Sequence, residues 1–195
     1  TLALGLISCT GGGLPGSGIG GGNYGTTIVH VPSNLPSTVV PLVIAIHGCS
    51  QTASDYRSAT GWNDLADKYG FIVAYPHKTS GSILNCWEHG NTGTGNPTSD
   101  MNYILSEIDK IKDSNNIDSS RIFVTGLSSG GGMTNCLAEH HSDVFAGFAP
   151  MAAPTCAQYQ SNPSNARAII WHSPTDSYSD GDQTFSRLGS RYSGA

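Results

Sequence analysis

The sequence predicts an α/β domain with a mainly parallel central sheet and helices on both faces. Three observations carry this. PLVIAIHG (41–48) and FIVAYP (71–76) are continuous apolar runs, the pattern of strands buried on both faces of a parallel sheet. Segments with apolar residues at helical spacing lie between the strand-like runs. RIFVTG (121–126) leads within a few residues into the helix-like GGMTNCLAEHH (131–141). Strands alternating with helices imply parallel pairing through right-handed crossovers.

Taken in order, GGGLPGSGIGGGNYG (11–25) is a loop by composition. Its GSGIGG (16–21) formally matches a dinucleotide fingerprint, but no clear strand precedes it and a strand rather than a helix follows. TTIVHVP (26–32) is a strand. SDYRSATGWNDLADKYG (54–70) reads as a helix that ends on Gly70 and carries Trp62, Leu65 and Ala66 at helical spacing. SDMNYILSEIDKIKDS (99–114) reads as a helix with Ser99 as its N-cap and Asp100 behind it, complementing the helix dipole. Its Ile104, Leu105, Ile108 and Ile111 form one apolar stripe. VFAGFAPMA (144–152) and RAIIWH (167–172) are later strands. Residues 1–25 are taken as a glycine-rich N-terminal segment, a signal remnant or linker, and 26–195 as a single domain.

Composition narrows the function. The 195 residues are 37% hydrophobic and only 12% charged, with a net charge of −5 and no basic run. Nucleic acid is excluded as a partner, because phosphate binding needs clustered Lys and Arg. No apolar run is long enough to span a bilayer, so no membrane partner is expected. The opening TLALGLISCT has the look of a signal-peptide tail, although an ordinary N-terminal segment reads slightly better. Cys9, Cys49, Cys86, Cys136 and Cys156 show no CxxC spacing, and no HExxH is present, so no metal site is expected. Scattered cysteines with few charges point to a secreted protein with disulfides.

GLSSG (126–130) fits G-x-S-x-G in the required strand, sharp turn, helix context. Gly126 and Gly130 remove Cβ atoms that would collide around a tight turn. Ser128 is then a nucleophile, and the N–H of Ser129, at a helix N-terminus, is an oxyanion donor. The competing reading is a glycine-rich connection without chemistry. A second donor is needed from the loop after an earlier strand. IHGCSQ (46–51) supplies one: Gly48 allows close approach, and the N–H of Cys49 follows it. His47 is expected beside the site, on the substrate side, rather than in the chemistry.

LVIAIHGCSQTASDYRSATGWNDLADKYGFIVAYP (42–76), NCWEHG (85–90) and RIFVTGLSSGGGMTNCLAEHHSDVFAGFAPMAA (121–153) resemble the polyhydroxybutyrate-depolymerase-like esterases. That group is related to carbohydrate esterase family 1, which includes acetylxylan and feruloyl esterases. The resemblance covers most of 41–176 in the right order. It implies an α/β-hydrolase fold, secretion, and hydrolysis of carboxylic esters without a cofactor. Ser128 matches the nucleophile; Cys49 and Ser129 match the oxyanion donors. The resemblance also implies a Cys49–Cys86 disulfide and makes Trp87 a wall of the acyl pocket, against the plainer reading of a packing Trp. Cys136 and Cys156 can pair with each other, which leaves Cys9 odd.

The triad order for this fold is Ser, then Asp or Glu, then His. Asp176, in SPTD (173–176), matches the triad acid of the resemblance, with SPT in place of the usual GT-x and with Asp180 and Asp182 as nearby substitutes. No histidine follows Asp176. His172 and His89 are replacement bases of lower rank. The chain stops without a final strand and helix, and the expectation is that the histidine lies in a C-terminal segment outside the 195 residues. The expected protein is a monomeric serine esterase on acetyl or feruloyl groups of plant-wall polysaccharide. A polyhydroxyalkanoate depolymerase-type esterase and an inactive hydrolase-like binding domain are the alternatives.

Overall fold

The computed structural model describes residues 23–80, 83–90, 96–157, 167–173 and 175–176. The elements are β1 (Ile28–His30), β2 (Val40–Ile46), α1 (Ala53–Thr60), α2 (Trp62–Tyr69), β3 (Ile72–Tyr75), a 3-10 turn (Ile83–Asn85), α3 (Thr98–Ser114), β4 (Ile117–Leu127), α4 (Ser129–His140), β5 (Gly147–Met151) and β6 (Arg167–Ala168). The sheet order is β1-β3-β2-β4-β5-β6, parallel except for β1 at the edge. The mainly parallel α/β sheet is as the alternating pattern predicts.

Alternation along β2 builds two cores. Leu42, Ile44 and Ile46 pack on one face with Ile104, Ile108 and Ile111 of α3 and Met133 and Leu137 of α4. Val43 and Ala45 pack on the other with Ala53 and Tyr56 of α1 and Ala66 of α2. Each fully buried Ile or Leu contributes about 1.5–3 kcal/mol, so this double-faced strand is the thermodynamic centre of the sheet.

Two expectations change in the structure. The single helix over 54–70 is two, broken at Gly61. Gly61 sits at φ 66° with nothing near the place of a Cβ, so the backbone angle, not crowding, selects glycine. A capping box starts α1: Thr52 Oγ1 accepts the Asp55 N–H, and Asp55 Oδ2 accepts the Thr52 N–H. Ser99 is not an N-cap. α3 begins one residue earlier at Thr98, where the Asn96 side chain accepts the Thr98 N–H at 2.9 Å, and Ser99 Oγ shares a hydrogen bond with Tyr24 Oη instead. Residues 1–22, with Cys9 and the GSGIGG run, and Asp180 and Asp182 lie outside the described residues.

The strand ends fix where the site forms. Ile46 at the end of β2 pairs with Gly126 of β4, and Gly126 pairs with Pro150 of β5. A Cβ on Gly126 would run into the backbone of Gly130, and one on Gly130 would run into Ile46 O and lie 2.5 Å from His47 O. Helix α4 therefore rests its first turn on the carbonyls of β2. Gly130→Ala is expected to destabilise the fold by about 3 kcal/mol, the upper end for an overpacked site, because the obstructing atoms are backbone. Urea denaturation checks this; an unchanged midpoint would mean that α4 and β2 can move apart freely.

Candidate active site

Ser128 occupies the turn between β4 and α4 at φ 55°, ψ −118°, a region that non-glycine residues avoid. Such a conformation costs about 1–3 kcal/mol and persists only when its surroundings hold it. Here the Ser128 N–H donates to Met151 O at 3.0 Å, and the Gly132 N–H donates to Ser128 O at 2.9 Å. The other non-glycine residues with positive φ are Ser50, Leu84, Asn85 and Ala152. Ser50 follows β2, Ala152 follows β5, and Leu84 and Asn85 precede Cys86. Among the described residues, backbone strain thus gathers around one end of the sheet.

The loop after β2 comes to Ser128 directly. A Cβ on Gly48 would lie 3.6 Å from Ser128 Cβ. The Gly48 N–H is already used, donating to Gln51 Oε1 at 2.7 Å, so the next N–H, that of Cys49, is the loop's candidate donor. Ser129 opens α4, and its N–H is one of the first-turn donors that have no intrahelical partner.

His47 is fully buried and both ring nitrogens are engaged. Nε2 faces the Lys78 N–H at 3.2 Å and must accept; Nδ1 faces Gly48 O at 2.8 Å and must donate. This is the neutral tautomer, and burial holds its pKa below the ordinary 6.5. The contact orients a useful peptide unit. In a trans peptide the carbonyl and N–H point in opposite directions, so anchoring Gly48 O aims the Cys49 N–H the other way.

The loop 85–90 binds to both halves of this arrangement. Cys86 is disulfide-bonded to Cys49, and the Trp87 N–H donates to Ser129 Oγ at 3.4 Å. Trp87 has no exposed surface; its ring is tilted on His47 at 5.3 Å and faces Tyr103 at 6.3 Å. Cys136 of α4 is disulfide-bonded to Cys156, and the Ala157 N–H donates to His89 O at 2.9 Å, closing the loop's far side. Gly131 and Gly132 leave room for these neighbours: Cβ atoms there would lie 2.7 Å from Ala153 Cβ and 2.9 Å from the His89 ring. Asp176 is half-buried beyond β6, with its N–H donating to Ser173 O at 3.0 Å. It is reached by way of Trp171, which bridges to Met151, the residue whose carbonyl anchors Ser128.

Two buried charges escaped the sequence reading. Lys78 and Asp100 are each 1% exposed and pair at 2.6 Å. Asp100 also accepts the Tyr24 hydroxyl at 2.6 Å and the Glu88 N–H at 2.7 Å. Burial, and then the hydrogen bond to Asp100, push the Tyr24 hydroxyl pKa well up. A signal was present: Asp100 precedes Ile104 by one helical repeat and so continues the apolar stripe of α3 inward.

The family described as "Esterase PHB depolymerase" matches residues 26–166. The chain belongs to this family. It is 42% identical over 142 residues to poly(3-hydroxyalkanoate) depolymerase C of Paucimonas lemoignei, covering 67% of this chain and 33% of that protein. It is 37% identical over 134 residues to acetylxylan esterase A of Emericella nidulans, covering 67% of this chain and 43% of that protein. Among solved structures, an acetyl xylan esterase from Aspergillus awamori superposes with a TM-score of 0.60 at 33% identity, over 70% of this chain and 49% of that one. A thermostable esterase superposes at 0.69 with 22% identity, over 85% and 48%, which speaks to the fold alone. The fold is that of the α/β-hydrolase esterases. The chain spans from a third to a half of the length of these relatives.

The state of His47 has a pH consequence. Its folded pKa is depressed, so the unfolded chain binds the proton first as pH falls through 6.5. Stability is full above 6.5 and drops between 6.5 and the lowered folded value. Buried His89 acts in the same direction. Thermal melts from pH 8 to pH 5 are expected to show this decline, with a shallower slope in His47→Gln; parallel slopes would overturn the assignment.

Proposed function

We propose that this chain is a secreted serine carboxylic-ester hydrolase acting through Ser128. The observation that carries the reading is Ser128, held in a strained turn against the oxyanion loop. Ser128 Oγ attacks the ester carbonyl, and the N–H groups of Cys49 and Ser129 donate hydrogen bonds to the developing oxyanion. Loss of the alcohol leaves an acyl-Ser128, which water then hydrolyses. Asp176 orients the histidine that takes the Ser128 proton. His47, with both nitrogens engaged, is not that base. Within the 195 residues the candidates are His172, four positions before Asp176, and His89 on the loop beside Gly132. Trp87 and His47, both fully buried, act on the substrate only indirectly, by supporting the loops that bound the acyl site.

Acetyl or feruloyl groups on plant-wall polysaccharide are the proposed substrates, supported by the acetylxylan esterase relatives. Polyhydroxyalkanoate is the second reading, favoured by the 42% identity to a depolymerase of that polyester. Two disulfides support secretion. No helix among the described residues is long and apolar enough to cross a membrane. A hydrolase-like module that binds an ester-bearing polymer without turning it over is the alternative.

Intact-mass spectrometry after exposure to a fluorophosphonate probe separates these. The esterase reading expects one adduct, lost in Ser128→Ala together with at least about a thousandfold of the turnover of 4-nitrophenyl acetate. No adduct and no turnover leave the binding module. Relative rates on 4-nitrophenyl acetate, methyl ferulate and a polyhydroxybutyrate suspension then choose the acyl class.

A further inference from the structure

We propose that the buried Lys78–Asp100 pair is the positioning element of the oxyanion hole, acting through two separate tethers. The inference rests on the reading of Cys49 and Ser129 as oxyanion donors.

Asp100 gathers three chain segments. Its Oδ1 and Oδ2 lie 2.6 and 2.7 Å from Lys78 Nζ; Oδ1 accepts the Tyr24 hydroxyl and Oδ2 accepts the Glu88 N–H. The first tether runs through Lys78. Its side chain is fixed on Asp100, and its own N–H holds His47 Nε2. The opposite ring nitrogen of His47 holds Gly48 O, whose peptide unit bears the Cys49 N–H. The second tether runs through Glu88. Its N–H is fixed on Asp100, one residue from the Trp87 N–H that reaches Ser129 Oγ and two from the Cys86–Cys49 disulfide. One carboxylate therefore sets the place of both donors, from behind, without contact to the reacting atoms.

A purely cohesive role does not account for the choice of residues. Apolar side chains of similar volume hold a core at least as well as a buried ion pair. What a carboxylate adds is direction: it fixes a backbone N–H, a phenol O–H and an ammonium at hydrogen-bond geometry. Oxyanion stabilisation needs such angular definition, because a displacement of about 1 Å can cost about a hundredfold in rate. Glu88 Oε1, 3.8 Å from Lys78 Nζ, adds a partly exposed second carboxylate to the same ammonium.

The test uses the full chain, Asp100→Asn and the double variant Lys78→Met with Asp100→Leu. The double variant removes both charges together, so that no buried charge is left unpaired and folding is retained. Lys110→Met, which breaks the surface pair with Glu107, is the control. Turnover of 4-nitrophenyl acetate is measured per Ser128 titrated with fluorophosphonate, and amide exchange is followed at Gly48 and Ser50, with Val124 of β4 as the core reference. Both test variants are expected to lose about ten- to a hundredfold in kcat per titrated site with KM within about threefold. The Gly48 and Ser50 amides are expected to exchange about tenfold faster or more, with Val124 unchanged. Parent-like kcat per site, or parent-like exchange at Gly48 and Ser50, overturns the proposal and leaves the pair as core filling. If the parent chain neither turns over nor takes the probe, the reading of Ser128 fails. Exchange alone then decides the positioning claim by the same criterion.

Discussion

A helix lies with its backbone against the backbone of a strand end, and the site depends on that contact. Gly130 of α4 meets the carbonyls of Ile46 and His47, and Gly126 meets Gly130. Side chains of any size would separate these segments. Their closeness forces the chain through a turn of one residue between β4 and α4, and Ser128 takes the conformation that this turn demands. The strain is local, but its support is distributed: Met151 O holds the Ser128 N–H, and Met151 is itself held in the parallel ladder opposite Leu127.

The loops around Ser128 are tied to one another more than to the sheet. The 48–51 turn is closed by Gln51, anchored by His47 and disulfide-bonded to the 85–90 loop. That loop is fixed in turn by Ser129 and Asp100, and by Ala157 beyond the second disulfide. Covalent and buried polar ties suit these segments because each is too short to bury a core of its own. An aromatic row supports them from below, with Tyr24 stacked on Tyr103 at 4.0 Å, Tyr103 facing Trp87, and Trp87 tilted on His47. Tyr24 belongs to this row and bridges to Lys78, so the packed body includes residues just ahead of position 26.

Much of this was legible in the sequence because it is local. Apolar runs gave the strands, and the G-x-S-x-G pattern of Gly126, Ser128 and Gly130 gave the turn; Gly126 answers to Gly130 four residues on, whereas Gly130 answers to Ile46 and His47, which only the fold brings near. Asp100 was misread for an instructive reason. An acidic residue in the first turn of a helix satisfies the dipole rule, and that rule does not say which way the side chain faces. The stripe of Ile104, Ile108 and Ile111 did say so, and Lys78, 22 positions earlier, had no local feature to mark it as a partner. Trp87 was placed on the right loop, but its complete burial depends on Tyr103 and His47, each from another element.

The sequence by itself determined the strand and helix order, the G-x-S-x-G turn, the glycine before Cys49 and the family. The strand and helix order follows from residue periodicity, the turn and the glycine from short motifs in their strand and helix context, and the family from the resemblance those motifs carry. Only the tertiary structure decided the tautomer of His47, the direction of the Gly48–Cys49 peptide, the break at Gly61 and the convergence of residues 24, 78 and 88 on Asp100. Apart from the break at Gly61, whose φ local spacing did not reveal, these depend on hydrogen-bond partners brought together from distant positions. Such partners carry no periodicity, and they exist only once the sheet and its two helical layers have closed around them.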